Sequence, residues 1–522
     1  MGLRYLLFLT GLLLLPAAAR LALAPWAGKP LPRVLDEFSY LLAGDTFASG
    51  RLANPPHLLW KHFEAPHIIH QPACASKYPP GQGLALAAGQ RLAGHPWFGV
   101  AGSCAAMLAA FWWAFDAWLP KRWAAIACAL ALVRYPIYHY WLNSFWGGAV
   151  AATGGALLLG AAGRMRDRFR PAPAALGGIG LSMLALARPY EGLAFSIALL
   201  APVSLVILKR RSQWIALVPG LALLAVGLAF FARVNAAATG DPLLPAYLVH
   251  ERQHSHWPVY FFREPDGAPP LNPWGRIGRQ SLRAMDLSWI GGRAEDWVNV
   301  GFGVAFWLAV AFLWLDRRRR WLACATGLMF AALMLPTAYH EHYAAPAAGL
   351  KILVVAAGLR ILTARARLAW LPRAALAAAV AMILAQTAVY AGFALTGRLK
   401  PAGFPADRAA VFDQLTRPSG KHLVIVRYTP GPQRHEEWVY NAADIDGARL
   451  VWARDLGEAA NRRLLEYFHD RTAWLLEPDR DPRAPRPYPA KVSSQGTRQF
   501  PGERVYGPLG VLRLQGPRAG RT

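Results

Sequence analysis

The sequence predicts a mainly α-helical, polytopic membrane protein of about eleven spans, followed by a small α/β domain outside the membrane. Three observations predict it. Of 522 residues, 55% are hydrophobic and only 16% charged, against about 25% charged in soluble globular chains. Apolar stretches long enough to cross about 30 Å of hydrocarbon recur through the first 400 residues. Past residue 397 the composition turns polar and Pro-rich. Together these exclude a string of soluble helical domains.

The formal charge is +26, from 56 Lys+Arg against 30 Asp+Glu. In a soluble protein that excess would suggest nucleic acid. Here the basic residues gather in short clusters between apolar segments, where they hold a segment on the cytoplasmic side. Charge therefore reports topology, and no nucleic-acid partner is expected. The cysteines Cys74, Cys104, Cys128 and Cys324 show no metal-ligand spacing, and no disulfide is expected.

The first element is residues 4–24. Arg4, an apolar run and Ala17-Ala18-Ala19 have the look of a cleavable signal. The many spans that follow favour a retained helix instead. The remaining spans are read at 96–118, 121–141, 145–163, 172–187, 190–208, 213–233, 298–316, 319–337, 343–363 and 370–396. With a cytoplasmic N-terminus and residues 25–95 wholly outside, every dense basic cluster falls inside: Lys121-Arg122, Arg164 to Arg170, Lys209 to Arg211, Arg317 to Arg320, and Arg365, Arg367 and Arg373. That solution requires residues 81–94, only 14 long, to lie in the interface rather than cross.

The outer face then carries the loops 25–95 and 234–297 and the turns near 142–144, 188–190 and 338–343. Eleven of the fourteen histidines fall in or beside them: His57, His62, His67, His70, His95, His139, His250, His254, His256, His340 and His342. The functional face is therefore the outer one. An odd number of spans places the C-terminal domain there too. The transmembrane part is 1–399 and the soluble part 400–522. Strands are expected at Leu423-Val-Ile-Val-Arg-Tyr428, Trp438-Val-Tyr440, Ala448 to Trp452 and Thr472 to Leu476, a helix at 457–469, and loops at the Pro-Gly-Pro turn and at 481–489.

Two motifs carry chemistry. Leu35-Asp36-Glu37-Phe38-Ser39-Tyr40 puts adjacent carboxylates at a membrane surface, where desolvating charge is costly. A carboxylate at the mouth of an apolar cavity can act as general base; the competing reading is an acidic first turn that favours the helix dipole. Ser76-Lys77-Tyr78-Pro79-Pro80-Gly81 sets a lysine beside a rigid turn, placed to grip a lipid phosphate; the competing reading is a snorkelling interfacial lysine.

Asp-Glu just after the first helix, followed by Lys-x-Pro-Pro before an interfacial helix, resembles the GT-C glycosyltransferases, which include protein O-mannosyltransferases and lipid A aminoarabinose transferases. Ala187-Arg188-Pro189-Tyr190-Glu191-Gly192 at a span boundary and His342-Tyr343-Ala-Ala-Pro346 opening a late helix resemble the same superfamily. The resemblance covers about residues 1–400. It implies a GT-C-like bundle and an inverting transfer of a sugar from a polyprenyl-phosphate donor to an acceptor (glycan, lipid or protein). It further implies Asp36 as base, Glu37 as its support, Lys77 on the departing phosphate, and Arg188 and His342 as further phosphate contacts. Tyr78, Tyr140, Asn143, Tyr190, Glu191 and Tyr343 would line the substrate pocket. The chain departs from relatives that carry an acid at the outer end of the third and fourth helices. Tyr140-Trp141-Leu142-Asn143-Ser144-Phe145-Trp146 stands there instead, an uncharged aromatic wall suited to stacking on a sugar.

No cofactor is expected. A divalent metal at His62, Glu64, His67 and His70, or at His250, Glu251, His254 and His256, is the alternative, at spacings that fit no standard signature. Trp257, Tyr260, Phe261 and Phe262 read as headgroup anchors. A transporter or flippase is the competing function; it would carry ionisable residues at mid-span, whereas these spans are mostly Ala, Leu, Gly and Trp. A membrane scaffold for the outer domain would leave the Asp-Glu and Lys-x-Pro-Pro pairing without a role. In the C-terminal domain, Arg434 to Asn441 with Asp444 and Asp446 are candidates for acceptor recognition, or a surface hairpin. The arginine- and alanine-rich composition suggests a bacterial inner membrane, with the site on the periplasmic side.

Overall fold

A computed structural model describes residues 3–28, 30–135, 139–166, 168–255, 303–314, 316, 320–336, 340–365, 369–429 and 436–489. Outside the described residues lie His256, the aromatics at 257–262 and most of the 234–297 loop. So do Arg317 to Arg319, Arg367, the Pro-Gly-Pro turn, Arg434 and residues 490–522.

The helices in chain order are α1 (Leu3–Ala22), α2 (Ala24–Ala27), α3 (Leu35–Ala48), α4 (Pro80–Ala93), α5 (Trp97–Asp116), α6 (Lys121–Arg134), α7 (Tyr140–Asn143), α8 (Ala149–Met165), α9 (Pro171–Ala187), α10 (Pro189–Lys209), α11 (Val218–Thr239), α12 (Ala246–His250), α13 (Gly303–Trp314), α14 (Arg320–Leu333), α15 (Ala348–Arg365), α16 (Leu371–Leu395), α17 (Phe404–Thr416) and α18 (Glu458–Tyr467). A helix stands at each expected span, but the count of eleven is corrected. Among the described residues, four helical stretches are long and apolar enough to cross a membrane: Trp97–Asp116, Arg211–Thr239, Glu341–Arg365 and Leu371–Leu395. Shorter apolar helical stretches among the described residues include Ala149–Met165, Pro171–Ala187 and Arg320–Leu333. Helix α6 has 14 residues and ends at Arg134, well before the expected 141.

Close packing of small residues holds the bundle together. A Cβ on Gly178 of α9 would lie 2.1 Å from the Gly220 carbonyl oxygen of α11, so only glycine lets these backbones approach, as at other membrane helix contacts. Helix α4 has 14 residues and is about 21 Å long, too short to span. It lies against α3, where a Cβ on Gly83 would meet the Ala43 Cβ at 2.7 Å. That approach fixes the helix carrying Asp36 against the turn carrying Lys77.

Between α3 and α4, strands β1 (Ile68–Ile69) and β2 (Ala75–Ser76) pair antiparallel. The C-terminal layer is a four-stranded sheet ordered β4-β3-β5-β6. Strand β3 (His422–Val426) is parallel to β4 (Leu450–Arg454) and β5 (Thr472–Leu476), and β6 (Arg486–Pro487) is antiparallel to β5. The fully buried run of β3 suits a central parallel strand. Strand β6 falls inside 481–489, expected to be loop. Trp438-Val439-Tyr440 is buried but is not a strand. Arg408 of α17 satisfies its carbonyls, donating to Trp438 O at 3.1 Å and Tyr440 O at 2.7 Å, the work a neighbouring strand would otherwise do. The sheet layer shares its core with α3: Phe38 stacks on Tyr440 with ring centres 4.2 Å apart.

Candidate active site

Asp36 and Glu37 occupy the first turn of α3, where carboxylates favour the helix N-terminus. They do different things. Glu37 is buried and clasps backbone, accepting from Phe145 N at 2.8 Å and Arg33 N at 2.9 Å. Burial pushes its carboxyl up to about 7, against the pull of those amides. It thereby ties α3 to the 144–148 turn. Asp36 instead accepts a hydrogen bond from the Tyr78 hydroxyl and lies 3.6 Å from His67 Nδ1.

Tyr78 follows Lys77 in the turn before α4. Burial, and then the Asp36 carboxylate, push its phenol well above 10, so it stays a neutral donor. Its hydroxyl also sits 3.1 Å from His67 Nδ1. His67 holds a left-handed backbone, φ 64, unusual for a residue other than glycine. Its carbonyl is held by Ser39 Oγ at 2.6 Å and Lys77 N at 3.1 Å, and its N–H donates to His250 Nε2 at 3.1 Å. His250 therefore carries its proton on Nδ1, which lies 3.4 Å from Glu251 Oε1. Burial lowers the His250 pKa to about 4, consistent with a neutral ring. Glu251 in turn pairs with Lys77 Nζ at 3.5 Å.

Lys77 is buried, with its ammonium 5.4 Å from the Tyr78 ring centre and 5.2 Å from that of Tyr247. Burial lowers its pKa, while Glu251 and then Asp36 pull it back. The second cation, Arg188, sits at the break between α9 and α10. The residue before a proline is pushed to an extended conformation, and Pro189 suits the first position of α10. The Arg188 guanidinium lies 4.5 Å from the Tyr343 ring centre and 3.9 Å from Glu191 Oε1.

These side chains converge on a cavity of about 540 Å³. Lys77, Tyr78, Arg188, Tyr190, Glu191 and Tyr343 line it, beside an apolar wall that includes Phe231, Val234, Ala238, Leu248 and Pro336. Asp36 touches it through the Tyr78 hydroxyl. Four expected residues stand elsewhere. Glu37 clasps backbone, as above. Asn143 receives Arg20 Nε at 2.9 Å. Tyr140 lies 3.2 Å from His342 Nδ1, and His342 is buried against Trp146. The expected aromatic wall is largely core, with Trp141, Leu142 and Phe145 buried.

Sequence reasoning did not foresee Glu251 as the partner of Lys77, nor Tyr247 and Asn235 in the lining; 174 positions separate the paired residues, and no local pattern links them. Among the described residues no group of three or more His, Cys, Asp or Glu is placed to hold a metal. The loop histidines serve other contacts: His62 Nδ1 sits 2.9 Å from Arg454 O, and His57 Nε2 lies 3.2 Å from Asp446.

No family model matches the chain, and no curated protein matches it closely. Solved structures do. ArnT from Cupriavidus metallidurans bound to undecaprenyl phosphate superposes with a TM-score of 0.51 at 14% identity, over 91% of this chain and 93% of that one. The same enzyme in the apo state gives 0.50 at 14% identity, over 90% and 94%. The Archaeoglobus fulgidus oligosaccharyltransferase tethered to an acceptor peptide gives 0.44 at 14% identity, and this chain spans 61% of its length. The two ArnT likenesses show that the chain has a GT-C fold.

Proposed function

We propose that the protein transfers a sugar from a polyprenyl-phosphate donor to an acceptor hydroxyl or amine at the outer face of a bacterial inner membrane, with inversion at the anomeric carbon. One observation carries the reading: a single cavity brings two cations, Lys77 and Arg188, together with the Tyr78–Asp36 pair against an apolar wall. The cations suit the phosphate, where leaving-group charge develops, and the apolar wall suits the isoprenoid. The Tyr190, Tyr343 and Tyr247 rings offer faces for a sugar.

The acceptor attacks the anomeric carbon opposite the phosphate, the carbon–oxygen bond to phosphate breaks, and its electron pair leaves on the polyprenyl phosphate. The acceptor's proton passes to the Tyr78 oxygen as Tyr78 gives its own to Asp36, so the base is Asp36 and Tyr78 carries the proton. His67, held by Ser39 and His250, keeps Tyr78 and Asp36 aligned. Glu37 acts as a positioning residue, through α3, and Tyr140, Asn143 and His342 support the outer wall. No step requires a metal.

The fold likeness to a protein bound to undecaprenyl phosphate supports this donor class. The test is release of free polyprenyl phosphate from a panel of polyprenyl-phosphate sugars, by protein in lipid nanodiscs with a membrane extract supplying acceptors. Release that collapses in Asp36→Asn and Lys77→Ala supports the reading. Equal release in all three, or none across the panel from folded protein, rejects it in favour of transport or scaffolding.

A further inference from the structure

Tyr440, in the C-terminal layer, touches two stretches of the site at once. Its ring stacks on Phe38, with centres 4.2 Å apart and planes 3° from parallel. Phe38 lies on α3 two positions after Asp36. The Tyr440 hydroxyl donates to Pro66 O at 3.1 Å, the carbonyl directly before His67. One side chain thus meets both the helix that carries Asp36 and the segment that carries His67. Burial, and then the Glu437 carboxylate, hold its phenol well above 10, so it stays a neutral donor.

Both contacts come from a fixed platform. Arg408 Nη2 donates to Tyr440 O at 2.7 Å, and the same guanidinium lies 4.9 Å from the Phe38 ring centre. Asn441 ties the next residue to β4 twice, donating to Trp452 O and accepting from Trp452 N, each at 2.8 Å. The layer also grips the flanks of both stretches. Ala443 N donates to Asp45, farther along α3, at 2.7 Å, and Arg454 Nη2 donates to Glu64 O at 3.2 Å. These contacts matter most at His67. A left-handed backbone at a residue other than glycine persists only where its surroundings over-determine it. The Tyr78 hydroxyl, 3.1 Å from His67 Nδ1, depends on where that ring stands.

We propose that Tyr440 is a positioning residue, through which the C-terminal layer sets Asp36 and His67 in the register that the Tyr78 proton path needs. The layer is then part of the machinery of the site. Its effect on rate rests on the glycosyl-transfer reading; its hold on residues 64–70 does not.

The test compares full-length proteins in lipid nanodiscs. Tyr440→Phe keeps the stacked ring and removes only the hydrogen bond to Pro66. Ile425→Val is the control: Ile425 is buried on β3, on the face opposite Val424 and Val426, which share the core with Phe38. Tyr440→Phe lowers kcat for carrier release about three- to tenfold, the range for one lost hydrogen bond. It leaves KM and the calorimetric affinity for undecaprenyl phosphate unchanged, and it speeds amide exchange in peptides across 64–70. Ile425→Val lowers the melting temperature but changes neither kcat nor that exchange. In an Asp36→Asn background Tyr440→Phe costs nothing further, since it acts through the base. Wild-type kcat in Tyr440→Phe overturns the proposal. So does an equal fall in Ile425→Val, which would make the effect one of stability alone. If the wild type releases no carrier from any donor, the glycosyl-transfer reading fails and exchange decides alone. Unchanged exchange across 64–70 then overturns the role of Tyr440, and faster exchange confined to Tyr440→Phe upholds it.

Discussion

Lys77 has two roles that one substitution cannot separate: it neutralises Glu251 in the free protein and, in the proposed reaction, the departing phosphate. At 3.5 Å and an effective dielectric of about 20, its attraction to Glu251 is roughly 5 kcal/mol before desolvation. Removing one partner of a buried pair costs about 3–5 kcal/mol, so Lys77→Met lowers stability. It also removes a charged hydrogen bond to phosphate worth about 1.5–3 kcal/mol, which predicts a fall in kcat/KM of roughly 10- to 150-fold. Adding Glu251→Gln separates the two roles. The double variant no longer buries a lone carboxylate, so its melting temperature recovers toward wild type. Its kcat/KM for polyprenyl phosphate release does not recover, because the phosphate contact is still missing. Both are read on the same nanodisc preparations, by thermal denaturation and by carrier release. If kcat/KM in the double variant returned to within about threefold of wild type, Lys77 would serve only to hold Glu251, and the phosphate role would be wrong.

Asp36→Asn lowers turnover by about 10²–10⁴-fold, the range for loss of a general base, while calorimetry shows undecaprenyl phosphate still binding. Tyr78→Phe removes the link between the cavity and Asp36 but keeps the ring beside Lys77; kcat falls about tenfold or more with little change in KM, and equal kinetics would remove Tyr78 from the proton path. Glu37 gives a pH prediction. Its folded pKa is raised from 4.5 to about 7, so the folded state binds this proton more tightly. The stability it contributes is complete below about 4.5 and is lost as pH rises through about 7. Melting temperature therefore declines across that window in wild type and stays flatter in Glu37→Gln; identical profiles would show that Glu37 does not titrate there.

The fold was legible where local patterns are strong. Apolar runs, Pro and Gly punctuation and basic clusters located a helix at each expected span, and the apolar runs at 423–426 and 472–476 located two parallel strands. The number of spans was not, because runs of Ala and Gly score as apolar while forming helices such as α8 and α9, of 17 residues each, that are short of the usual crossing length. Trp438-Val439-Tyr440 misled for a different reason. A buried apolar triplet looks like a strand whichever group satisfies its carbonyls, and here that group is Arg408, thirty positions earlier.

The site divided along the same line. Asp36 and Lys77 announce themselves because charge beside apolar sequence demands a reason, whereas Arg188 was reached only through the family resemblance. What makes them one site is not local. Lys77 is balanced by Glu251, Asp36 reaches the cavity through Tyr78, and Tyr78 is steadied by His67, whose backbone N–H is received by His250. Asp36, Tyr78, His67, His250, Glu251 and Lys77 thus form a continuous circuit of contacts, from the carboxylate to the cation, drawn from three separate stretches of chain. Such a circuit couples the two halves of the proposed reaction. A phosphate that draws Lys77 away from Glu251 alters the charge beside His250, and through His67 it bears on the hydroxyl that serves Asp36. The base and the leaving-group cation are therefore expected to respond together, so Glu251→Gln should shift the pH profile of kcat as well as the affinity for polyprenyl phosphate. A change in affinity alone would mean that the circuit is only a scaffold.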